Sequence, residues 1–133
     1  MPFFLDTNVL IYAWSDEQKA VTAQNVLSQP FHTGVQVLNE FVTVLRRKLE
    51  FDWPSVEQAV ADIVEVAQTL LPTELDTHIH ALRLAERYQL QLYDAVVVAT
   101  AIKARCDTLL SEDMHDGLVI EDRLTIRNPF RRG

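Results

Sequence analysis

The stretch that decides the fold is "FFLDTNVLIYAW", residues 3–14, in which three polar residues interrupt an apolar run. The apolar beginning, "PFFLD", predicts a short buried strand, and "NVLIYAW" predicts a helix directly after it. Asp6 therefore stands at the carboxyl end of a buried strand. Because a buried, unpaired carboxylate costs free energy or takes up a proton, we expect a helix cap, a salt bridge or a bound cation to compensate it.

The composition is that of an ordinary globular protein. The 133 residues are 48% hydrophobic and 23% charged, and polar residues interrupt every apolar stretch before it could form a transmembrane span. The single cysteine, Cys106, excludes an internal disulfide, and with no basic leader at the N-terminus we expect a cytoplasmic protein. No linker or repeat is present, so we predict one domain over residues 1–133. The net charge of −7 argues against a nonspecific nucleic-acid binder more than against a metal-dependent enzyme.

Hydrophobic periodicity predicts strands that alternate with helices. Helices are predicted in "KAVTAQNVLSQ", over residues 36–50, from Trp53–Pro54 to a stop at Pro72, and in "THIHALRLAERYQL" and "LYDAVVVATAIKARC". Further strand regions are predicted in "QPFHTG", "DTLLS" and "LVIEDRLTI". This alternation predicts an α/β fold with a mostly parallel central sheet flanked by helices. Ligand sites in such folds gather at the carboxyl ends of the strands.

Four acidic residues have neighbours that favour burial, namely Asp6, Glu40, Asp94 and Asp113. Asp6 and Asp113 each follow a predicted strand, so parallel strands would place both at one edge of the sheet. Taken singly, Asp6 and Asp94 are explained as helix N-caps, Glu40 as a solvent-facing helical residue and Asp113 as a loop acid. One divalent cation site explains all four together, because Mg²⁺ and Mn²⁺ take several carboxylate oxygens.

Other residues near these acids have both a structural and a functional interpretation. Thr7, Asn8 and Ser111 either orient the carboxylates by hydrogen bonds or cap helices and turns. His115 is explained by exposure in a loop more simply than by catalysis. Two basic clusters also have two interpretations each. The first either guides phosphates toward the acids or stabilises a helix C-terminus, and the second either contacts a nucleic acid or an acidic partner segment or is a frayed tail. The two clusters are Arg46, Arg47 and Lys48, and Arg127, Arg131 and Arg132.

Four blocks in this order resemble the PIN domain, and specifically the VapC-type toxins of bacterial and archaeal toxin–antitoxin pairs. The blocks are "FLDTNVLIYAW", "VLNEF", "LYDAVVVATA" and "LLSEDMHDG", and the final "IRNPF" is also typical of that group. The match spans nearly the whole chain, and it is specific only as an ordered set. The resemblance implies a PIN fold, Mg²⁺- or Mn²⁺-dependent endoribonuclease activity, a homodimer and neutralisation by a cognate antitoxin.

The resemblance also implies roles for individual residues. It implies a catalytic and metal-binding quartet, namely Asp6, Glu40, Asp94 and Asp113. Asp6 and Asp94 would be the direct ligands, with Thr7, Asn8 and Ser111 supporting the quartet.

The fourth acidic block is the most variable in the family. Glu112, His115 and Asp116 lie close to Asp113 in the sequence. Whether one of them joins the site is open at this point.

The leading hypothesis is therefore a magnesium-dependent endoribonuclease that cleaves RNA phosphodiesters as the toxin of a VapBC-type pair. Two alternatives stay open. One is a catalytically silent PIN-like module that binds protein partners, and the other is a metal-dependent nuclease or phosphatase acting on DNA or small phosphoesters. The complete quartet argues against the silent module, because such a module has no need for four mutually repelling acids.

Overall fold

The computed structural model describes residues 2–131 as a six-stranded sheet flanked by six helices. The strands are β1 (Phe3–Leu5), β2 (Phe31–Gly34), β3 (Thr69–Leu71), β4 (Thr108–Leu110), β5 (Val119–Ile120) and β6 (Leu124–Arg127). The helices are α1 (Thr7–Ala13), α2 (Lys19–Leu27), α3 (Val35–Arg47), α4 (Trp53–Val66), α5 (Leu75–Tyr88) and α6 (Leu92–Lys103). The predicted α/β architecture is confirmed.

The sheet has the strand order β3-β2-β1-β4-β6-β5, with β1 at its centre. β1 is parallel to both of its neighbours, and only β5 runs antiparallel to the strand beside it. Leu5 pairs with Leu110, and the backbone N–H of Asp6 donates to the carbonyl of Leu110 at 3.1 Å. The carboxyl ends of β1 and β4 therefore coincide, as predicted from the sequence.

The core lies on both sides of the central strands. Phe4, Leu5 and Leu109 are completely buried, and every residue of α6 from Ala95 to Ile102 is buried. A helix that is apolar all round has to be covered on all sides, which explains why α6 shows no polar face over this range. None of the helices in residues 2–131 has the length and apolar character needed to span a bilayer.

One helix ends earlier than predicted. The prediction carried the helix from Trp53 to the stop at Pro72, but α4 ends at Val66 and Ala67 already has extended backbone angles. The next residue, Gln68, donates its N–H to the carbonyl of Phe31 at 2.8 Å, and β3 then continues parallel to β2. Pairing with the free edge of β2 thus outweighs the local helical pattern.

The predicted strand region "LVIEDRLTI" is a hairpin rather than one strand. Glu121 and Asp122 both have positive φ, at 52° and 56°, between the antiparallel strands β5 and β6. The N–H of Arg123 closes this turn by donating to the carbonyl of Ile120 at 2.9 Å. Two consecutive residues with positive φ match the twist of a β-hairpin, although the sequence lacks the usual glycine, and residues 121–123 separate the paired Ile120 and Leu124.

Removing side-chain volume at the centre of the sheet should weaken the fold. We expect Leu109→Ala to lower the free energy of unfolding by about 2–5 kcal/mol, because Leu109 is fully buried in β4. Val21→Ala is the matched control, since 67% of Val21 is exposed on α2, and it should change the free energy of unfolding by less than about 0.5 kcal/mol. Urea denaturation of the three proteins, followed by circular dichroism, measures both effects. Equal midpoints for the two variants would contradict this packing.

Candidate active site

Asp6 is a buried carboxylate at the junction of β1 and α1. Only 5% of the residue is exposed. It is the N-cap of α1, where Oδ1 accepts from the Thr7 backbone N–H at 2.8 Å, and Oδ2 accepts from the Ser111 hydroxyl at 2.7 Å. Capping and the hydrogen bond from Ser111 therefore compensate part of the cost of burying the carboxylate. The prediction that Asp6 is an N-cap is confirmed.

These two hydrogen bonds do not fully stabilise the charge. Burial is the main reason why the pKa of Asp6 rises from 3.8 to about 6, against the lowering effect of Ser111 and Thr7. The negative charges of Asp94 and Glu40 raise it further. Neighbouring carboxylates thus act on a buried acid that has no cationic partner among the residues that the structure describes.

Asp94 and Glu40 reach the same edge of the sheet from two helices. Asp94 lies inside the first turn of α6, whose N-cap is Gln91, so its interpretation as an N-cap is wrong. Burial, followed by the charges of Asp113 and Glu40, raises the pKa of Asp94. Glu40 extends from α3, and its Oε2 accepts a hydrogen bond from the Thr7 hydroxyl at 3.1 Å.

Asp113 is connected to the start of α1 through Asn8 and Ser111. The Asn8 amide donates to Asp113 Oδ2 at 3.1 Å and to the Ser111 hydroxyl oxygen at 3.4 Å. The Ser111 hydroxyl oxygen also accepts the backbone N–H of Asp113 at 3.2 Å. The loop after β4 is thus held to α1 by the same serine that donates to Asp6.

The other acids of this loop are paired elsewhere. Glu112 accepts the Tyr12 hydroxyl at 2.7 Å and forms an ion pair with Lys19. Burial acts to raise the pKa of Glu112, but the hydrogen bonds from Lys19 and Tyr12 outweigh it and hold that pKa below its usual value. The Lys19 ammonium also lies 4.9 Å from the centre of the Tyr12 ring.

Asp116 holds the C-terminal segment. Its Oδ1 accepts the backbone N–H of Asn128 at 2.8 Å, and its Oδ2 forms an ion pair with Arg131 at 3.2 Å. The hydrogen bond from Asn128 is the main reason why the pKa of Asp116 lies below its usual value. Within residues 2–131, Glu112 and Asp116 are thus occupied by structural contacts. Of the three carboxylates between residues 112 and 116, only the charge of Asp113 raises the pKa of Asp94.

Some residues of the two basic clusters have structural partners, and one lies near the acids. Arg46 donates to the carbonyl of Phe51 at 2.9 Å and lies 4.4 Å from the centre of the Trp53 ring, so it closes the end of α3. Lys48, by contrast, lines a groove between α1 and α3. Arg131 is paired with Asp116, and Arg132 lies outside the described residues.

Two cavities meet at the acids. The first cavity, of about 330 Å³, is a groove between α1 and α3 that extends to Lys48 and Leu49. The second cavity, of about 630 Å³, lies between the α5–α6 turn and the loop after β4 and includes His115. Glu40 and Asp113 line both cavities, and Asp94 lines the second. Glu40, Asp94 and Asp113 therefore lie on the floor of an open cleft rather than in a closed pocket, whereas the buried Asp6 lines neither cavity.

The donor set suits a hard divalent cation. All four candidate ligands are carboxylates, and the pKa of both Asp6 and Asp94 is raised by neighbouring negative charges, which a dication would offset. Within residues 2–131, no group of three or more His, Cys, Asp or Glu side chains is already arranged to hold a metal ion. Glu40 and Asp113 are exposed, and each accepts a side-chain hydrogen bond, from Thr7 and from Asn8 respectively.

The sequence of this chain matches the sequence model of the PIN domain over residues 3–115. The chain belongs to the PIN-domain family. The predicted family is therefore confirmed, and so is the PIN fold that it implies. The matched region contains all four acids that the PIN-like blocks contributed to the prediction. No curated protein matches the sequence of this PIN domain.

Solved structures show the same PIN fold at low sequence identity. A toxin–antitoxin complex from Klebsiella pneumoniae has a TM-score of 0.73 at 20% identity, covering 97% of this chain and 98% of that one. VapBC-1 from nontypeable Haemophilus influenzae has a TM-score of 0.71 at 16% identity, covering 98% and 100%. Mycobacterium tuberculosis VapC20, a toxin that cleaves the sarcin–ricin loop, has a TM-score of 0.68 at 20% identity, covering 80% and 86%.

Sequence reasoning missed the side chains that surround the acids. Tyr12 and Lys19 both bind the Glu112 carboxylate, although they lie 100 and 93 residues before it in the chain. No local sequence pattern signals such a contact. Tyr93 was not predicted as a site residue, although its position directly before Asp94 indicates a place beside the acids. It is 60% exposed and lines the second cavity.

The buried charge of Asp6 predicts a pH-dependent stability. The folded-state pKa of about 6 lies above the ordinary 3.8, so the folded protein binds the proton more tightly and loses stability as the pH rises from about 4 to about 6. We expect Asp6→Asn to raise the free energy of unfolding at pH 7.5 by up to about 3 kcal/mol, and to have little effect at pH 4. Urea denaturation in EDTA measures this. Asp16→Asn, on an exposed residue, is the control and should be neutral; a destabilised Asp6→Asn at pH 7.5 would contradict the assignment.

Proposed function

We propose that this PIN domain is a metal-dependent endoribonuclease, and that it is the toxin of a VapBC-type pair. The observation that carries the proposal is the electrostatic one. Burial raises the pKa of Asp6 and of Asp94, and nearby carboxylates raise both further, Asp94 and Glu40 acting on Asp6 and Asp113 and Glu40 acting on Asp94. Among the described residues, the groups that hydrogen-bond the Asp6 carboxylate are neutral, namely the Thr7 backbone N–H and the Ser111 hydroxyl. A fold has no structural use for such repulsion. A divalent cation at this point would turn it into attraction.

The four acids would hold Mg²⁺, or Mn²⁺ in its place, with Asp6 and Asp94 as the direct ligands. When bound, such an ion activates water and neutralises charge on a phosphodiester. Ser111 and the Thr7 backbone would fix the orientation of the Asp6 carboxylate, because both already donate to it. Asn8 would do the same for Asp113, and the Thr7 hydroxyl for Glu40.

The shape of the cleft favours a polymeric substrate over a small phosphoester. Cavities of about 330 and 630 Å³ extend from the acids in two directions, so a chain that crosses the acids has room on both sides of the reacting phosphate. Lys48 lines the first cavity, where it would attract a backbone phosphate. RNA cleavage and a VapC-type role also rest on the ordered sequence blocks and on neighbours such as VapC20.

The partners in this proposal are RNA, a cognate antitoxin and a second copy of the chain. Structural neighbours from Klebsiella pneumoniae and Haemophilus influenzae belong to toxin–antitoxin complexes, which supports an antitoxin partner. An apolar stripe on α5 supports a homodimer: Leu75, Ile79 and Leu82 are 75%, 41% and 48% exposed and lie on one face at helical spacing. One domain over residues 1–133 and a cytoplasmic location stay predictions.

Metal-dependent cleavage of RNA tests the proposed activity. Purified protein should cleave members of a mixed panel of structured RNAs with Mg²⁺ or Mn²⁺ and none with EDTA, and Asp94→Asn should lower the rate at least a hundredfold because it removes a ligand. Asp107→Asn is the matched control: it lies at the opposite end of β4 and should cleave like the wild type.

Each other result favours a different function. Cleavage of DNA or of a small phosphoester, but of no RNA, would favour the alternative phosphoesterase. No cleavage and no Mn²⁺ binding by calorimetry would favour a catalytically silent module. Full RNA-cleaving activity of Asp94→Asn would contradict the proposal that these acids hold a catalytic cation.

The homodimer is tested by placing a charge in the α5 stripe. We expect Ile79→Asp to convert a dimer into a monomer, because burying an unpaired carboxylate in an apolar interface is costly. Light scattering after size-exclusion chromatography gives the mass. Val21→Asp, on an exposed residue of α2 outside the stripe, should leave the dimer intact. A monomeric wild type, or a dimeric Ile79→Asp, would exclude this face as the interface.

A further inference from the structure

The second cavity differs chemically from the first. Both cavities carry acids: the first is lined by Glu17, Glu40, Glu112 and Asp113, and the second by Glu40, Asp94 and Asp113. The difference is that Lys48 lines the first cavity, whereas among the described residues no lysine or arginine lines the second, which also includes His115. A wall of this kind repels a phosphate group that is not bound to the cation. It suits an uncharged, flat group that enters beside the acids.

Tyr93 offers a free aromatic surface in this cavity. It lies in the first turn of α6 directly before Asp94, and 60% of it is exposed. Tyr88 lines the same cavity, but its hydroxyl accepts the backbone N–H of Glu121 at 2.9 Å and Arg87 lies over its ring. Tyr88 is therefore part of the framework, whereas the ring of Tyr93 stacks on no other aromatic residue between positions 2 and 131.

Two glutamines present amide groups on the same wall. Gln89 ends α5 in the left-handed conformation, with φ at 56°, and Gln91 is the N-cap of α6. Backbone bonds hold the turn, since Leu90 donates to Ala85 at 3.1 Å and Ala95 donates to Gln91 at 2.9 Å. Within the described chain, neither glutamine side chain has a hydrogen-bond partner, so both amides are free to contact a ligand.

We propose that the second cavity binds the nucleobase next to the cleaved phosphate, stacked on Tyr93 and contacted along its edge by Gln89 and Gln91. This inference rests on the proposed function, because a cation held by the acids has to bind the reacting phosphate. A base has a π-face for the tyrosine ring, and its edge matches a donor and acceptor of a glutamine amide. In this arrangement the RNA backbone phosphates lie toward Lys48 in the first cavity. The base stacked on Tyr93 lies in the second cavity, where contacts to its edge give sequence specificity.

Binding is tested without turnover in the Asp6→Asn background. A fluorescently labelled single-stranded RNA of mixed sequence, 20 nucleotides long, is titrated with this protein and its Tyr93→Ala and Tyr93→Phe derivatives. We expect Tyr93→Ala to weaken binding about tenfold and Tyr93→Phe to keep the affinity, because stacking needs the ring and not the hydroxyl. Trp53→Ala is the control: Trp53 is also an exposed aromatic residue, at 56%, but lines neither cavity.

Cleavage of a substrate that lacks one base identifies the subsite. Once the wild-type cleavage position in an RNA is mapped, the nucleotide on either side is replaced by an abasic one. We expect one of the two replacements to raise KM about tenfold, and to have no further effect in Tyr93→Ala, because both changes remove the same contact. Mn²⁺ affinity, measured by calorimetry, should be the same for the wild type and Tyr93→Ala.

The outcomes separate the subsite from the activity. Wild-type cleavage combined with an unchanged KM in Tyr93→Ala, or additive effects of the abasic replacement and Tyr93→Ala, would overturn the subsite and leave the nuclease in place. A wild type that cleaves no RNA would overturn both. A loss of Mn²⁺ affinity in Tyr93→Ala would also overturn the subsite, because the residue would then act through the acids.

Discussion

The parallel pairing of β1 with β4 is the constraint on which the rest of the site depends. Leu5 lies opposite Leu110 in that pairing, so the next residues, Asp6 and Ser111, meet at one edge of the sheet. Asn8 then reaches across from α1 to the loop after β4. A shift of one residue in this register would turn the side chains to the opposite face, and the serine would no longer face the buried aspartate.

The same constraint has an energetic cost. Burial raises the pKa of Asp6 to about 6, so keeping it ionised at neutral pH costs stability even though it caps α1 and accepts a hydrogen bond from the Ser111 hydroxyl. The core of the sheet tolerates this cost, since Phe4 and Leu5 of β1 and residues 95–102 of α6 are all buried. A destabilised group that the fold keeps in place is typical of sites selected for binding or chemistry rather than for stability.

The loop after β4 shows how three similar carboxylates acquire different surroundings. Glu112 is neutralised by Lys19 and Tyr12, and Asp116 holds Asn128 and Arg131. Both contacts hold the two ends of the loop, which leaves Asp113 between them beside Asn8. The cleft is divided accordingly: Lys48 lines one cavity, and the exposed ring of Tyr93 lies beside the acids in the other.

The sequence by itself determined the α/β class, the buried strands β1 and β4 and the placement of acids after them, because burial and period are encoded locally. It misplaced the end of α4 and missed β3, since that edge strand exists only where β2 offers free backbone groups. Local pattern also could not separate Asp113 from Glu112 and Asp116. Only the tertiary structure decided which of the three carboxylates lies near Asp94, because the partners that occupy the other two come from other parts of the chain, 93 residues away in the case of Lys19.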